Sequence, residues 1–289
     1  MDEKDWLILK TLNEERNITR ASEKLFISQP ALTYRIKQLE EDIGITILWR
    51  NKRGVKFSAE GEHLVTYSLR MLKELQKVKD HVVNMNNSTE GTIRLGVSSN
   101  FARFSLPDIL RDFTSKYKNI QFSLYTGLSP EIVRMLEEED VYVGIVRGEN
   151  KWNEGQLKLD KETICIISKF PIELDKLPSL PRISYKTDSE LQRLIDRWWQ
   201  KNFSVPPNIT MHLDNIETSR NLVLNGLGYA IIPSIGLNEV EDDLFIHPIK
   251  DSAGKTILRN TSLIYKENSL NFPVVKTFIE FMEEYYGTK

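Results

Sequence analysis

The chain has a single cysteine, Cys165, inside the apolar run Ile164-Cys165-Ile166-Ile167, so an internal disulfide is impossible and a small buried thiol is its simplest reading. Its four histidines, His63, His81, His212 and His247, are scattered, which leaves neither a metal-ligand spacing nor a cysteine–histidine catalytic motif. No nucleophile elbow or glycine-rich phosphate loop occurs. The acidic run Glu137-Glu138-Glu139-Asp140 reads as a solvated helix end rather than acid–base machinery. These absences argue against an enzyme and lead us to expect no cofactor and no metal. No apolar run approaches the roughly 20 residues of a membrane helix. The start, Met1-Asp2-Glu3-Lys4-Asp5, has neither the positive charge nor the apolar core of an export signal. A cytoplasmic chain with no membrane partner is expected. Charge of one sign is also lacking: a net −2 over 289 residues excludes a wholly basic coat for nucleic acid. Any grip on DNA must come from a local patch.

What is present suggests a small domain followed by a larger one. Trp6, Leu9 and Leu12, widened by Leu7 and Ile8, have the spacing of a helix burying one side over residues 5–14. Thr19 can cap a second helix carrying Ala21, Ser22, Leu25 and Phe26, and Ile27-Ser28 makes a tight connection. Ser28 can cap a third helix that tolerates Pro30 in its first turn and buries Leu32, Ile36 and Leu39. Residues 19–40 thus form a helix-turn-helix. Gln29, Pro30, Ala31, Thr33, Tyr34 and Lys37 crowd the outward N-terminal half of the third helix. Gln can bond the adenine edge, and Ala and the Thr methyl can meet a thymine methyl in the major groove. Taken alone, those residues fit equally well the polar face of a soluble three-helix domain. The next segment, residues 48–57, reads as two short strands around an Asn/Lys/Arg/Gly turn, the wing of a winged helix. From Ser28 to Phe57, six basic residues (Arg35, Lys37, Arg50, Lys52, Arg53, Lys56) face three acidic ones (Glu40, Glu41, Asp42), a local +3 that suits phosphate positioning.

The run Ala21-Ser22-Glu23-Lys24-Leu25-Phe26-Ile27-Ser28-Gln29-Pro30-Ala31-Leu32-Thr33-Tyr34-Arg35-Ile36-Lys37-Gln38-Leu39-Glu40, continued by Gly44, Leu48, Arg50 and Ser58-Ala59-Glu60-Gly61, resembles the signature of LysR-type transcriptional regulators. Departures are mild. Thr33 and Ser58 exchange one hydroxyl residue for another, Trp49 replaces a more usual Phe, Phe26 stands where a polar residue is common, and Tyr34 is less typical. Expected DNA contacts are Thr19, Ser28, Gln29, Pro30, Ala31, Thr33, Tyr34, Arg35 and Lys37 on the helices and Arg50, Lys52 and Arg53 on the wing.

A proline-free stretch follows, a connecting helix over residues 59–86, with Leu64, Ser68, Met71, Leu75, Val78, Val82 and Met85 alternating by four and three. This heptad seam suits pairing with a second copy through Leu64, Met71, Leu75, Val78 and Val82, or packing on its own domain. As the resemblance implies, a homodimer, assembled further into a homotetramer, would place paired reading helices on the half-sites of a DNA dyad. Contact with the transcription machinery is also expected. Residues 87–91 lose periodicity and read as a hinge.

Beyond Gly91, strand-like and helix-like segments alternate, as in an α/β domain with a mostly parallel sheet covered on both faces. Residues 92–147 supply one set and residues 163–232 a second, so two lobes are expected: lobe I over about 92–161 and 266–289, lobe II over about 162–265. These stretches, most clearly Leu222-Val223-Leu224-Asn225-Gly226-Leu227-Gly228-Tyr229-Ala230-Ile231-Ile232-Pro233, resemble the family's effector-binding domain, whose lobes are similar to periplasmic binding proteins. A transport protein would match the lobes but not the helix-turn-helix, the wing or the missing export signal. Ligands of open α/β sheets sit beyond the carboxyl ends of the strands. That rule selects Ser98, Ser99, Asn100 and Phe101, with Thr126, Gly127 and Arg147, and also Pro233-Ser234, as candidates for holding a small-molecule effector, an anion by preference. Those residues could equally be caps of helices and strands. Trp198 and Trp199 read as core and surface anchors rather than a ligand cage.

Overall fold

Asp2 opens the first helix by accepting the Asp5 amide while the Asp5 carboxylate accepts the Asp2 amide, a capping box that starts α1 (Glu3–Glu15). The computed structural model describes residues 1–51, 54–84, 90–237 and 243–287, in two units, Met1–Val82 and Val83–Lys289. In the first unit α1 ends at Arg16 in the left-handed conformation, φ 50°, and α2 (Ile18–Lys24) begins. Asn17, not Thr19, is its cap: the Asn17 side chain accepts the Arg20 amide, and Thr19 lies exposed inside the first turn. Both residue types can cap. Asn17 prevails because helix from Ile18 onward buries Ile18 in the core.

Ser28 caps α3 (Gln29–Ile43) as expected, Pro30 sits in its first turn, and Gly44 ends it at φ 77°. The wing strands β1 (Leu48–Asn51) and β2 (Gly54–Phe57) pair antiparallel. Two contacts set the wing on the helices. Glu40 Oε1 accepts the Ile47 and Leu48 amides at 2.7 and 3.2 Å, and the Val55 amide donates to the Arg16 carbonyl at 3.0 Å. Gly54 is required there, since a Cβ would stand 2.5 Å from that carbonyl oxygen and φ is 126°. Ser58 Oγ accepts the Gly61 amide and starts α4 (Ala59–Asn84). The core joins Leu9, Leu12, Leu32, Ile36 and Leu39 to Phe57 and Val65.

The second unit begins with β3 (Gly91–Ser98), so Gly91 is already strand; the rest of the expected hinge, save Glu90, lies outside the described residues. There follow α5 (Ser99–Phe104), α6 (Leu106–Lys116), β4 (Ile120–Gly127), α7 (Ser129–Glu137), β5 (Val143–Arg147), β6 (Gly155–Ser168), β7 (Arg182–Tyr185), α8 (Ser189–Asn202), β8 (Ile209–Leu213), α9 (Ile216–Leu224), β9 (Tyr229–Pro233), β10 (Phe245–Pro248), β11 (Leu258–Tyr265) and α10 (Pro273–Gly287). The strand order is β4-β3-β5-β11-β6-β9-β7-β8, with β10 beside β6. β3, β4 and β5 run parallel, as do β7, β8 and β9, whereas β6 and β11 pair antiparallel with their neighbours and carry the chain between the lobes. β11 lies between β5 and β6, and its pairing with β5 runs from Thr261 to Tyr265. Alternate residues of one strand feed different cores, as a doubly covered sheet requires. Ile164 and Ile166 pack with Trp198 and Trp199 of α8, while Cys165 and Ile167 pack with Val223 of α9. Both tryptophans are core: their indole N–H groups donate to the Lys250 and Val205 carbonyls at 3.1 and 2.9 Å.

Candidate nucleic-acid interface and effector cleft

Capping by Ser28 and burial of Leu32, Ile36 and Leu39 turn the opposite face of α3 to solvent. Gln29, Pro30, Ala31, Tyr34 and Lys37 are exposed there and Thr33 is half-buried. Gln29 Nε2 lies 3.4 Å from Thr33 Oγ1, and Gln38 Nε2 donates to the Tyr34 hydroxyl at 3.1 Å, so Gln29 and Tyr34 are each held by a neighbour on the same helix. Lys37 is tied only loosely to Glu41, at 3.6 Å. Arg35 is different. Its guanidinium forks onto the fully buried Asp5 carboxylate, Nε to Oδ1 at 2.6 Å and Nη2 to Oδ2 at 2.8 Å, which makes it an internal clamp between α3 and α1 rather than a contact on offer to DNA. Arg50 lies on β1 opposite Val55, and Lys52 and Arg53 fall outside the described residues. Two aromatics of this unit not singled out as contacts are also exposed: Phe26, 96% exposed at φ 56° in the helix-turn-helix turn, and Trp49 on the wing.

On α4, Leu64 packs against the winged-helix core, Met71 and Leu75 are half-buried, and Val78 and Val82 are 59% and 58% exposed. Ser68 is buried and its Oγ has no hydrogen-bond partner among the described residues.

In the second unit the loops after β3, β4 and β5 meet those after β7 and β8 around a cavity of about 300 Å³. Ser98, Ser99, Asn100, Gly127 and Arg147 line it as the strand-end rule anticipates. Phe101 does not: the α5 turn carries its ring into the first lobe's core, 1% exposed. Thr126 is exposed on the edge strand β4, off the cavity, and Ser234 is engaged by the Thr163 amide. Arg147 reaches the cavity but its charge is taken, because its Nε donates to Glu162 Oε1 at 2.8 Å and Nη2 binds the same oxygen. Its amide donates to Ser129 Oγ at 2.9 Å.

The lining that sequence reasoning missed includes Arg103, Leu128, Ser129 and Glu131 of the first lobe and, in the second, Lys186, Thr187 and Asp188 after β7 and Asp214, Asn215 and Ile216 after β8. The same strand-end rule, extended to β7 and β8, would have found those of the second lobe. Arg103 of α5 pairs with Glu217 of α9, tying the lobes together across the opening.

A second buried pair lies alongside. Arg259 Nη2 binds Asp188 Oδ2 at 2.5 Å and Glu190 Oε2 at 3.5 Å. Burial would raise the Asp188 carboxyl, but the Arg259 guanidinium and the Leu191 amide outweigh it and hold it below the usual carboxylate range. Burial pushes the Tyr185 phenol up, so it stays a neutral hydroxyl among these charges. Ser98 Oγ, Glu162 Oε2 and the Tyr185 hydroxyl are buried without hydrogen-bond partners among the described residues, an uncommon concentration of unmet polar capacity.

Two family models match this chain: the bacterial regulatory helix-turn-helix protein of the lysR family over residues 4–62, and the LysR substrate binding domain over residues 86–287. The chain belongs to the LysR family of DNA-binding transcriptional regulators. The regulator is 45% identical over 283 residues to the uncharacterized HTH-type transcriptional regulator YraN of Bacillus subtilis (strain 168), covering 98% of each protein. It is 30% identical over 279 residues to YkuM of the same organism, covering 96% of this chain and 95% of that one. Among solved structures it matches full-length CbnR complexed with its target DNA at a TM-score of 0.73 and 18% identity, covering 98% and 99% of the two chains. It matches the Vibrio cholerae virulence activator AphB at 0.63 and 17%, covering 99% and 100%. These two likenesses are of fold. The regulator therefore carries a helix-turn-helix for DNA and an effector-binding domain, as the sequence led us to expect. Among the described residues no helix is long and apolar enough to cross a membrane.

Proposed function

We propose that the regulator reads promoter dyads as a dimer, or a pair of dimers, joined along α4, and is switched by a small anionic metabolite held between the lobes of its effector-binding domain. Gln29, Thr33 and Tyr34 read bases, and Arg50, Lys52 and Arg53 of the wing hold phosphates. It works in the cytoplasm as a switch rather than an enzyme, and meets the transcription machinery at the promoter.

The observation that carries the ligand reading is Ser98: its Oγ is buried, lines the inter-lobe cavity and has no hydrogen-bond partner. Lys186 adds a cation at the rim with no carboxylate partner among the described residues. Arg147, already neutralised by Glu162, shapes the pocket instead of supplying charge. A ligand here shifts the regulator only if it binds the two arrangements of the molecule with different affinity. A thermal-shift screen of carboxylate-bearing metabolites against the wild type, Ser98→Ala and Lys186→Ala tests this, because binding raises apparent stability by mass action. A hit should stabilise the wild type and lose most of its effect in both variants. A hit of equal size in all three proteins would remove the cleft from the reading.

A further inference from the structure

Outside the inter-lobe cleft, a cavity of about 620 Å³ in the second unit is bounded by α8, by residues 250–252, by the start of β11 and by the turn after β5. That is twice the cleft and within the roughly 300–1,000 Å³ usual for small-molecule sites. Arg193, Arg197 and Lys201 line it from one face of α8, joined by Lys250 and Arg259. Four residues apart on a helix, the first three stand side by side along about 12 Å of its axis.

Like charges so placed repel. Among the described residues none of Arg193, Arg197, Lys201 and Lys250 has a carboxylate within ion-pair distance, although surface cations elsewhere on the unit, such as Arg111 and Lys176, do. Three carboxylates also line the cavity, and two are engaged: Glu190 accepts the Glu149 amide at 3.0 Å, and Asp251 accepts the Ala253 and Lys255 amides of its own turn. Arg259 supplies an independent observation. It is 2% exposed, one arm of its guanidinium is held by Asp188, and its Nε is buried with no partner. Leu194, Trp198 and Ile257 give the cavity an apolar wall.

We infer that this cavity is a second ligand site, for a small organic molecule carrying two or more anionic groups, phosphate or carboxylate, spaced to meet successive cations of α8. It shares no lining residue with the inter-lobe cleft. The two meet through Arg259, which lines this cavity and donates to Asp188 Oδ2 and to the Arg147 carbonyl, both belonging to residues that line the cleft. An occupant of either therefore acts on the same pair.

Isothermal titration of the full-length protein with pyrophosphate in one arm and citrate in the other tests the inference and separates phosphate from carboxylate. At least one probe should bind saturably at one equivalent per chain. The double variant Arg193→Gln with Arg197→Gln, both exposed and both keeping a good helix former, should weaken it tenfold or more at an unchanged unfolding midpoint. Arg111→Gln with Arg134→Gln, a charge-matched change elsewhere, and Ser98→Ala in the cleft should leave it intact. Absence of saturable binding, or equal weakening by the charge-matched pair, would overturn the site. So would a double variant that loses affinity for dyad DNA with neither probe present, which would assign the stripe to nucleic-acid phosphates. Because Ser98 is not part of this cavity, failure here and failure of the cleft reading are distinguishable.

Discussion

Arg35, at the middle of the recognition helix, closes on both oxygens of Asp5 at the start of the chain, and Asp5 is wholly buried. The same carboxylate accepts the Asp2 amide in the α1 capping box, so one acidic side chain positions the first helix and the third.

Arg35→Ala should therefore act on stability before it acts on DNA. Stranding a buried carboxylate costs on the order of 2–3 kcal/mol after allowance for the partial exposure of the arginine. Urea unfolding followed by circular dichroism should show the DNA-binding unit melting earlier. Where the protein remains folded, the salt dependence of DNA affinity should keep its slope. Loss of a phosphate contact would reduce that slope by about one, and such a result would return Arg35 to the DNA-contacting set.

Gln29→Ala should change which base is preferred at one position of each half-site and weaken binding by about 1–3 kcal/mol, as expected for a lost bidentate base contact. Competition between dyads varied at single positions measures both. A uniform loss across all sequences would make Gln29 a backbone contact.

Val78→Glu, on the exposed part of the α4 seam, should lower the sedimenting mass of the regulator while leaving each chain folded, because a charge at an apolar heptad position opposes pairing. An unchanged mass would place the dimer contacts elsewhere.

Gly61→Ala should destabilise the DNA-binding unit even though alanine is the better helix former by about 1 kcal/mol. A Cβ there would stand 2.2 Å from the Ile47 carbonyl oxygen, so β1 or α4 must move, at a cost of about 1–3 kcal/mol. Chemical denaturation gives the sign directly.

Asp188 sets an acid limit on the effector-binding unit. Its carboxyl is held low in the folded protein, so the stability it adds is present above its unfolded pKa, about 3.9, and is lost as pH falls through the folded value. The thermal midpoint should lose this contribution only below about pH 4. Asp188→Asn should lower the midpoint at neutral pH, corresponding to a loss of about 3 kcal/mol of stability as for other broken buried pairs, and should flatten that part of the acid limb.

Much of the chain was legible from neighbours in sequence. The spacing of Leu32, Ile36 and Leu39 and the cap at Ser28 specify α3, and the turn-rich residues 48–57 specify the wing, because periodicity and capping act within a few residues. Thr19 misled because the residues on either side of Ile18, Asn17 and Thr19, can each cap, and burial of Ile18 between them chose Asn17. Strand ends pointed to Ser98, Ser99, Gly127 and Arg147, yet backbone direction says nothing of what a side chain meets.

The local pattern of apolar residues, caps and turns was enough for the helix-turn-helix, the wing and the alternation of strands and helices that follows, but not for α5 or for the antiparallel strands β10 and β11. Which charges remain free could not be read that way. Arg35 is given to a carboxylate 30 residues away, Arg147 to one 15 away and Arg259 to one 71 away. Each was decided by the folded chain, where burying a charge demands a partner and that partner can come from any element packed beside it.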